Sequence, residues 1–190
     1  MSRQTSFWLV RHAAVAGPPG TIWPIDAPAD LADQRSLELV RAQLPNDAIA
    51  YASPARRTID TARALQLDPV LMTELAEQDF GDWTGRTHDD LAATAGENYA
   101  QFWREPARSR PPGGESFEEQ IARVRGGLAR IETGPAILIV HSGTIRATLA
   151  VALDLAPEAG LRFVVDPLSV TRIDRLQNGW RVVSVNQTYR

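Results

Sequence analysis

The sequence predicts an α/β protein: a three-layer α/β/α sandwich with a mostly parallel central sheet, helices on both faces and a small lid insertion. Two runs, 7–10 and 136–140, contain only apolar residues, which is typical of strands buried on both faces of a parallel sheet. Segments with helical apolar spacing alternate with such runs, as in sheets covered on both sides. One hydrophobic core accommodates 190 residues, so we expect residues 1–190 to form a single domain.

The first half of the chain has the pattern of two strand–helix units and a short strand. Leu37, Val40 and Leu44 have helical spacing. Ser53 can cap a helix that begins at Pro54, because serine accepts from free N–H groups and proline fits the first helical turn. The predicted elements are a strand at 7–10, a helix within 31–44, a strand at 48–52, a helix from Pro54 to about Leu65 and a strand at 69–72.

The second half begins with a strong helix start. Ser116 and Glu119 form a capping-box pattern, in which each side chain satisfies a backbone donor of the other residue. Apolar residues from Phe117 to Ile131 then fall on one helical face. The elements predicted after this helix are a strand at 136–140, a helix at 143–153 and strand segments at 164–165, 169–173 and 180–185.

The stretch from about 74 to 115 breaks the alternation of strands and helices. It is rich in Gly, Trp, Asp and Arg, and it ends in two prolines followed by two glycines. We therefore predict a lid insertion above the sheet, not a second domain.

Composition limits the partners of the chain. A formal net charge of −3 gives no global field that would attract nucleic acid or a membrane surface, so we expect neither as a partner. The chain has no cysteine, which excludes disulfides, thiolate catalysis and thiolate metal sites. No compact set of His, Asp and Glu has metal-ligand spacing, so we expect no metal and no cofactor. The first apolar run is too short for a signal peptide, and a cytoplasmic location is the expectation.

Two of the three histidines stand directly after apolar strand-like runs. They are His12 and His141. In open parallel sheets, ligands bind outside the carboxyl ends of the strands, so these two imidazoles are predicted to face one pocket. His88 lacks this setting and is predicted to be a solvated surface residue.

Arginines accompany these histidines. Arg11 adjoins His12, and Arg56 and Arg57 lie in the first turn of a predicted helix that follows a strand. A helix N-terminus favours phosphate, and a guanidinium binds its oxygens bidentately. A phosphate pocket is therefore predicted, although helical spacing alone does not choose between Arg56 and Arg57.

Several segments together resemble the histidine phosphatase superfamily, which includes cofactor-dependent phosphoglycerate mutase and many small phosphatases. The likeness runs in the family's order from Phe7 to about Leu149. The segments that carry it are Leu9–His12, Ser53–Ala62, Leu75–Gly85, Pro112–Ser116 and Val140–Arg146.

This resemblance implies roles for particular residues. It makes His12 the nucleophile and selects Arg57, with Arg11, as the phosphate clamp. It makes His141 the second catalytic imidazole and places Glu77 where the proton donor stands. Ser142, where a second glycine is commoner, is a candidate hydroxyl donor to phosphate.

The implied activity is that of a metal-independent phosphatase that hydrolyses a small-molecule phosphomonoester through a phosphohistidine. Two alternatives stay open, namely a phosphoglycerate mutase-type phosphotransferase and a non-catalytic phosphate-ester-binding protein. A serine hydrolase is a remote third, because His141-Ser142-Gly143 is not a Gly-x-Ser-x-Gly elbow. The sequence also leaves a homodimer open.

Two further features bear on the pocket. Ala13-Ala14-Val15 stands where the family usually has Gly, then Glu or Gln, then Thr, and we expect the methyl of Ala13 to crowd backbone near the phosphate. Trp23, Phe102 and Trp103 lie in segments that are expected to rim the pocket, where aromatic rings would suit a planar substrate, and Trp23 is a candidate substrate contact. Packing in the core or in the lid is the favoured interpretation for each of the three. The surrounding segments, 20–28 and 102–106, loosely resemble the α-ribazole phosphatase branch of the family.

Overall fold

A computed structural model describes residues 4–189, and its centre is one six-stranded sheet. Across the sheet the strands run in the order β3, β2, β4, β1, β5, β6. The first four pair in parallel, whereas β5 is antiparallel to β1 and β6 is antiparallel to β5. The mostly parallel sheet is thus confirmed. The strands are β1 (Thr5–Arg11), β2 (Ile49–Ala52), β3 (Val70–Leu71), β4 (Gly134–Val140), β5 (Val170–Leu176) and β6 (Gly179–Gln187).

Helices cover both faces of this sheet, which confirms the three-layer architecture. Alternate residues of β1 point to opposite faces: Phe7 and Leu9 pack in one core with α5 and α6, and Val10 packs in the other with α1 and α2. The helices are α1 (Gln34–Gln43), α2 (Arg56–Ala64), α3 (His88–Thr94), α4 (Gly96–Arg104), α5 (Phe117–Arg130), α6 (Ser142–Leu153) and α7 (Pro157–Gly160). Within residues 4–189, none of them is long and apolar enough to cross a membrane.

The starts of two helices test the caps that the sequence predicted. At α5 the predicted capping box is present, because Ser116 Oγ accepts from Glu119 N at 3.2 Å and Glu119 Oε2 accepts from Ser116 N at 2.8 Å. The predicted cap on α2 is wrong. Its N-cap is Ala55, while the hydroxyl of Ser53 lies 2.8 Å from His141 Nε2. The predicted strand segment at 164–165 is also wrong, since β5 begins only at Val170.

The insertion between 74 and 115 contains α3, α4 and a short 3₁₀ turn, Gly81–Trp83. Its small core is formed by Ile22, Trp83, Leu91 and Phe102. Its two ends are hydrogen-bonded together, with Glu115 N donating to Asp79 O at 2.9 Å and Asp82 N donating to Pro112 O at 2.9 Å. The insertion therefore begins and ends at one place, and these hydrogen-bonded ends are called the neck. That the insertion acts as a lid on a single domain stays a prediction.

Close backbone approach at this neck predicts that Gly81→Ala destabilises the fold. Gly81 has a φ of +50°, and a Cβ there would overlap the carbonyl oxygen of Pro112. The left-handed conformation and the overlap together should cost at least about 2 kcal/mol of unfolding free energy, measured by urea denaturation. Gly126→Ala is the control, because Gly126 lies in α5 with open space around it, and this change should stabilise by about 0.5–1 kcal/mol. Equal free energies for Gly81→Ala and the parent would contradict the close approach.

Candidate active site

The carboxyl ends of the parallel strands open into a cavity of about 1320 Å³. In the β1–β4 pair, Arg11 is opposite Val140, so the residues that follow these strands, His12 and His141, emerge side by side. Their ring centroids are 5.1 Å apart and the rings are 69° from parallel. Both histidines line the cavity, as do Arg11, Arg57, Glu77, Ser142 and Trp23. The structure therefore brings every sequence-predicted site residue to one pocket.

His12 is held as one tautomer. Its Nδ1 lies 2.6 Å from the carbonyl oxygen of Ala13, and because that oxygen can only accept, Nδ1 carries the proton. The second ring nitrogen, Nε2, is left with its lone pair. Burial lowers the pKa of His12 well below 6.5, and His141, Arg57 and Arg11 lower it further. His12 is thus a neutral imidazole with a free lone pair, the form that a nucleophile needs.

His141 is fully buried beside it. Its Nε2 lies 2.8 Å from Ser53 Oγ, and its Nδ1 has no hydrogen-bond partner among the residues that the structure describes. Burial lowers the pKa of His141 well below 6.5, followed by the charges of Arg57, Arg11 and Arg123. An anion in the pocket would oppose these effects and favour the charged imidazolium.

Two guanidiniums are fixed next to the histidines. Nη1 of Arg11 donates to Val165 O at 2.5 Å, and Nη1 of Arg57 donates to Pro24 O at 2.9 Å. In the described part of the chain, Nε of both residues is buried without a partner. Burial lowers both pKa values, but arginine keeps its charge. Arg56 instead is exposed and lies 3.6 Å from Asp60, so the structure brings Arg57 to the pocket and not Arg56.

Glu77 lies at the N-terminus of α6, where four groups donate to its carboxylate. Oε1 accepts from Gln78 N and from Gln120 Nε2, each at 3.2 Å. Oε2 accepts from Gly143 N at 3.2 Å and from Ser142 Oγ at 3.3 Å. The hydroxyl of Ser142, predicted to serve phosphate, thus donates to Glu77.

Sequence reasoning missed two residues of this site. Arg146 lines the cavity one helical turn after Ser142, with its Nε donating to Phe163 O at 2.9 Å. Gln120 is fully buried against Glu77. Each had a signal in the sequence. Arg146 stands four residues after Ser142 and so shares its helix face, and Gln120 is a polar residue beside the apolar stripe of α5.

Two expectations are wrong. His88 is half-buried, not solvated: its Nδ1 lies 3.0 Å from the hydroxyl of Tyr99, its ring packs on Trp103, and it lines the cavity. Its imidazole packs among aromatic rings. The acidic residues that follow it in the sequence had instead indicated a solvated position. The methyl of Ala13 does not crowd the pocket either, because it packs with Val10 in the core under α1 and α2.

Aromatic side chains form the outer wall of the cavity. Trp23, Phe102 and Trp103 line it, although packing in the core or the lid was the favoured interpretation of each. Phe102 is buried in the core of the insertion, whereas Trp103 is 48% exposed and offers a ring to the cavity mouth. Within 4–189, no group of three or more His, Cys, Asp and Glu side chains is placed to hold a metal ion.

This fold and pocket define an α/β protein with a cationic, imidazole-lined pocket at the carboxyl edge of its sheet. The chain belongs to the histidine phosphatase superfamily (branch 1), whose family pattern matches residues 7–188. It is 27% identical to the adenosylcobalamin/alpha-ribazole phosphatase of Escherichia coli K12 over 195 residues, which cover 96% of this chain and 91% of that protein.

Two further comparisons agree with this family. The bifunctional protein Rv2228c of Mycobacterium tuberculosis is 35% identical over 150 residues, which cover 74% of this chain but only 41% of that relative. The crystal structure of a putative alpha-ribazole-5'-P phosphatase from Escherichia coli K-12 superposes with a TM-score of 0.86 at 25% identity, covering 96% of each chain. Relatives and structural neighbours of this chain thus include phosphatases of the family.

The buried histidines predict that the protein loses stability in mild acid. Burial lowers the pKa of His12, His88 and His141, so near pH 6.5 the unfolded chain takes up protons that the folded chain does not. Because the unfolded state then binds more protons, the unfolding free energy should fall as the pH drops from about 7.5 to about 5.5. The loss should be about 1 kcal/mol each for the buried His12 and His141 and smaller for His88, which solvent partly screens, measured by urea denaturation across this range.

The control for this prediction is His141→Asn, which removes one of the buried imidazoles. Its unfolding free energy should depend less on pH than that of the parent. A parent protein whose free energy of unfolding is constant or rises on acidification would contradict the burial of neutral histidines.

Proposed function

We propose that this protein is a metal-independent phosphatase that hydrolyses a small-molecule phosphomonoester through a phosphohistidine on His12. The observation that carries the proposal is the bond between His12 Nδ1 and Ala13 O, which leaves a neutral Nε2 free in a cationic cavity. Membership of the histidine phosphatase superfamily supports the same reaction class.

In the first step, Nε2 of His12 attacks the phosphorus atom in line with the leaving oxygen. A P–N bond forms, the P–O bond breaks, and Glu77 gives its proton to the leaving oxygen. Arg11, Arg57 and His141 donate to the equatorial oxygens, where negative charge is spread in the transition state. Fixed positive charge is the main aid that such a transfer needs. Arg11 and Arg57 supply it, and His141 adds to it when the bound anion favours its imidazolium.

In the second step, water attacks the phosphohistidine. Glu77 accepts a proton from this water, the P–N bond breaks, and His12 returns as a neutral imidazole while phosphate leaves. A mutase forms the same intermediate but must protect it from water until a second substrate accepts the phosphoryl group. Hydrolysis is preferred here because the sequence lacks the longer insertions typical of those mutases.

The outer wall favours a substrate whose leaving group carries a planar ring. Trp23, Trp103 and His88 present ring faces or edges around the cavity, and Trp103 remains half-exposed. Such a wall binds planar groups by stacking and by burial of apolar area. The similarity to alpha-ribazole phosphatases supports a nucleoside-like phosphate as the first candidate.

The remaining expectations from the sequence accompany this proposal. We expect turnover in EDTA, because positioning and fixed charge replace the metal in the steps above. A cytoplasmic location, a homodimer, and the lack of nucleic-acid and membrane partners stay predictions.

The covalent route predicts an acid-labile phosphoenzyme. After a rapid quench into alkali with ³²P-labelled substrate, the parent protein should retain label that is lost on acid treatment, whereas His12→Ala should retain none and lose at least about a thousandfold in kcat. Arg56→Ala is the control, because Arg56 is exposed outside the cavity, and it should keep both label and turnover. Ester binding without phosphate release would favour the non-catalytic alternative, and transfer of label to a phosphoglycerate would favour the mutase.

The aromatic wall predicts a selective loss in Trp103→Ala. KM for α-ribazole 5′-phosphate should rise about tenfold, because one stacking surface is removed, while KM for glycerol 3-phosphate should stay within about twofold. Steady-state kinetics with both esters measures the difference. An equal change for both substrates would show that Trp103 does not contact the leaving group.

A further inference from the structure

Three arginines that line the cavity, Arg11, Arg57 and Arg146, are each held by one backbone carbonyl. Arg11 and Arg57 are held through Nη1. Arg146 is held through Nε, which donates to Phe163 O at 2.9 Å. Because the donors of a guanidinium lie in one plane at fixed angles, the atom that is held decides which edge stays free for a ligand.

The free edges of these arginines differ. Arg11 and Arg57 keep Nε and Nη2, which form the side edge of the guanidinium. Arg146 keeps Nη1 and Nη2, which form its end edge, and neither atom has a hydrogen-bond partner in the part of the chain that the structure describes. Either edge matches two oxygens of a carboxylate or a phosphate. Arg146 therefore offers a cationic edge of its own, besides the two assigned to the transferred phosphoryl group.

Arg146 lies on the Glu77 side of the cavity. It follows Ser142 by one turn of α6, and the hydroxyl of Ser142 donates to Glu77 Oε2 at 3.3 Å. Burial lowers the pKa of Arg146, and the nearby charge of Glu77 opposes this effect. Burial also lowers the pKa of the two site histidines, and the charges of Arg11 and Arg57 lower it further, whereas Arg146 does not contribute. Arg146 is thus close to the carboxylate and farther from the imidazoles.

Ion pairing does not account for Arg146 within residues 4–189. The carboxylate of Glu77 accepts from two backbone N–H groups, an amide and a hydroxyl, with no arginine among these donors. Glu115, a second acid that lines the cavity, is paired with Arg123. A third, Asp79, accepts from a backbone N–H at 2.8 Å. The charge of Arg146 is therefore available to a ligand.

The geometry of the proposed reaction puts the leaving group near Arg146. In-line attack by His12 leaves the departing oxygen on the far side of the phosphorus atom, where Glu77 protonates it. Groups beside Glu77 therefore meet the leaving group, whereas Arg11 and Arg57 meet the equatorial oxygens of the transferred phosphoryl group.

We propose that Arg146 is a specificity-determining residue that binds an oxyanion on the leaving group of the substrate, either a carboxylate or a second phosphate. The proposal rests on the phosphatase function above, in which the leaving oxygen faces Glu77. Both Nη atoms of Arg146 donate to two oxygens of this group, and no bond of the substrate breaks there. The ring that the aromatic wall favours and this oxyanion then belong to one leaving group.

The test uses two matched pairs of esters. 3-Phosphoglycerate and glycerol 3-phosphate differ by a carboxylate in place of a hydroxymethyl group, and propane-1,3-diol bisphosphate and 3-hydroxypropyl phosphate differ by a second phosphate. We expect the parent protein to prefer the more charged ester about tenfold or more in kcat/KM, in one pair or in both. A preference in one pair only would identify the oxyanion, and no preference in either pair would overturn the proposal.

Arg146→Met removes the cationic edge and keeps an unbranched side chain. The preference should fall about tenfold or more, mainly through KM of the charged ester, because the same contact is present before and during the transfer. The ratio of the two kcat/KM values is the deciding measurement, since it does not depend on how much of the variant is folded. A preference equal to that of the parent would overturn the proposal, even where both esters lose activity, because Arg146 would then act only through the backbone that it holds.

Arg162→Met is the matched control. Arg162 is exposed and outside the cavity, so this variant removes the same charge from a neighbouring segment and should keep the preference of the parent. An equal fall in both variants would show a general effect of net charge and would also contradict a contact with Arg146. A parent without phosphoenzyme would instead refute the proposed function, whereas a parent that forms phosphoenzyme but lacks the preference would refute only the role of Arg146.

Discussion

The pairing of β1 with β4 is the constraint on which the site depends. Phe7 and Leu9 must face one core and Val10 the other, so a slip of one residue would turn every side chain of β1 to the wrong layer. This fixed register places Arg11 opposite Val140, and His12 and His141 leave the sheet as neighbours. The distance between two imidazoles 129 positions apart is therefore set by apolar packing far below them.

Burial of the two histidines with Arg11 and Arg57 costs electrostatic free energy, which the rest of the fold must offset. Two imidazoles stay uncharged because desolvation and neighbouring arginines lower their pKa values, and the buried Nε atoms of Arg11 and Arg57 lack partners within residues 4–189. Glu77 is the carboxylate that opposes this positive charge. Groups left incompletely satisfied in this way are what a preorganised anion site requires, because a ligand that supplies the missing acceptors needs no rearrangement of the protein.

The sequence predicted those parts of the molecule that depend on local patterns. Apolar runs located β1 and β4, a capping box located the start of α5, and strand ends located both histidines. The resemblance to a family selected Arg57 and Glu77. The position of Gln120 beside the apolar stripe of α5 marks it as unusual, but its partner could not be predicted, because the contact is with a residue 43 positions away. The hydroxyl of Ser53 was predicted to cap α2. It accepts from Ala55 N just before the helix, and it also makes a long-range contact with His141 that no local pattern predicts.

Binding of substrate and the charge of His141 are linked in the proposed reaction. Burial and the charges of nearby arginines keep the imidazole of His141 neutral, and Glu77 has the hydrogen bonds of a carboxylate at the positive end of α6. A phosphate dianion beside His141 opposes the effects that lower its pKa and therefore favours the imidazolium. The substrate itself would then create the cationic donor that its transfer requires, next to two guanidiniums that carry their charge throughout.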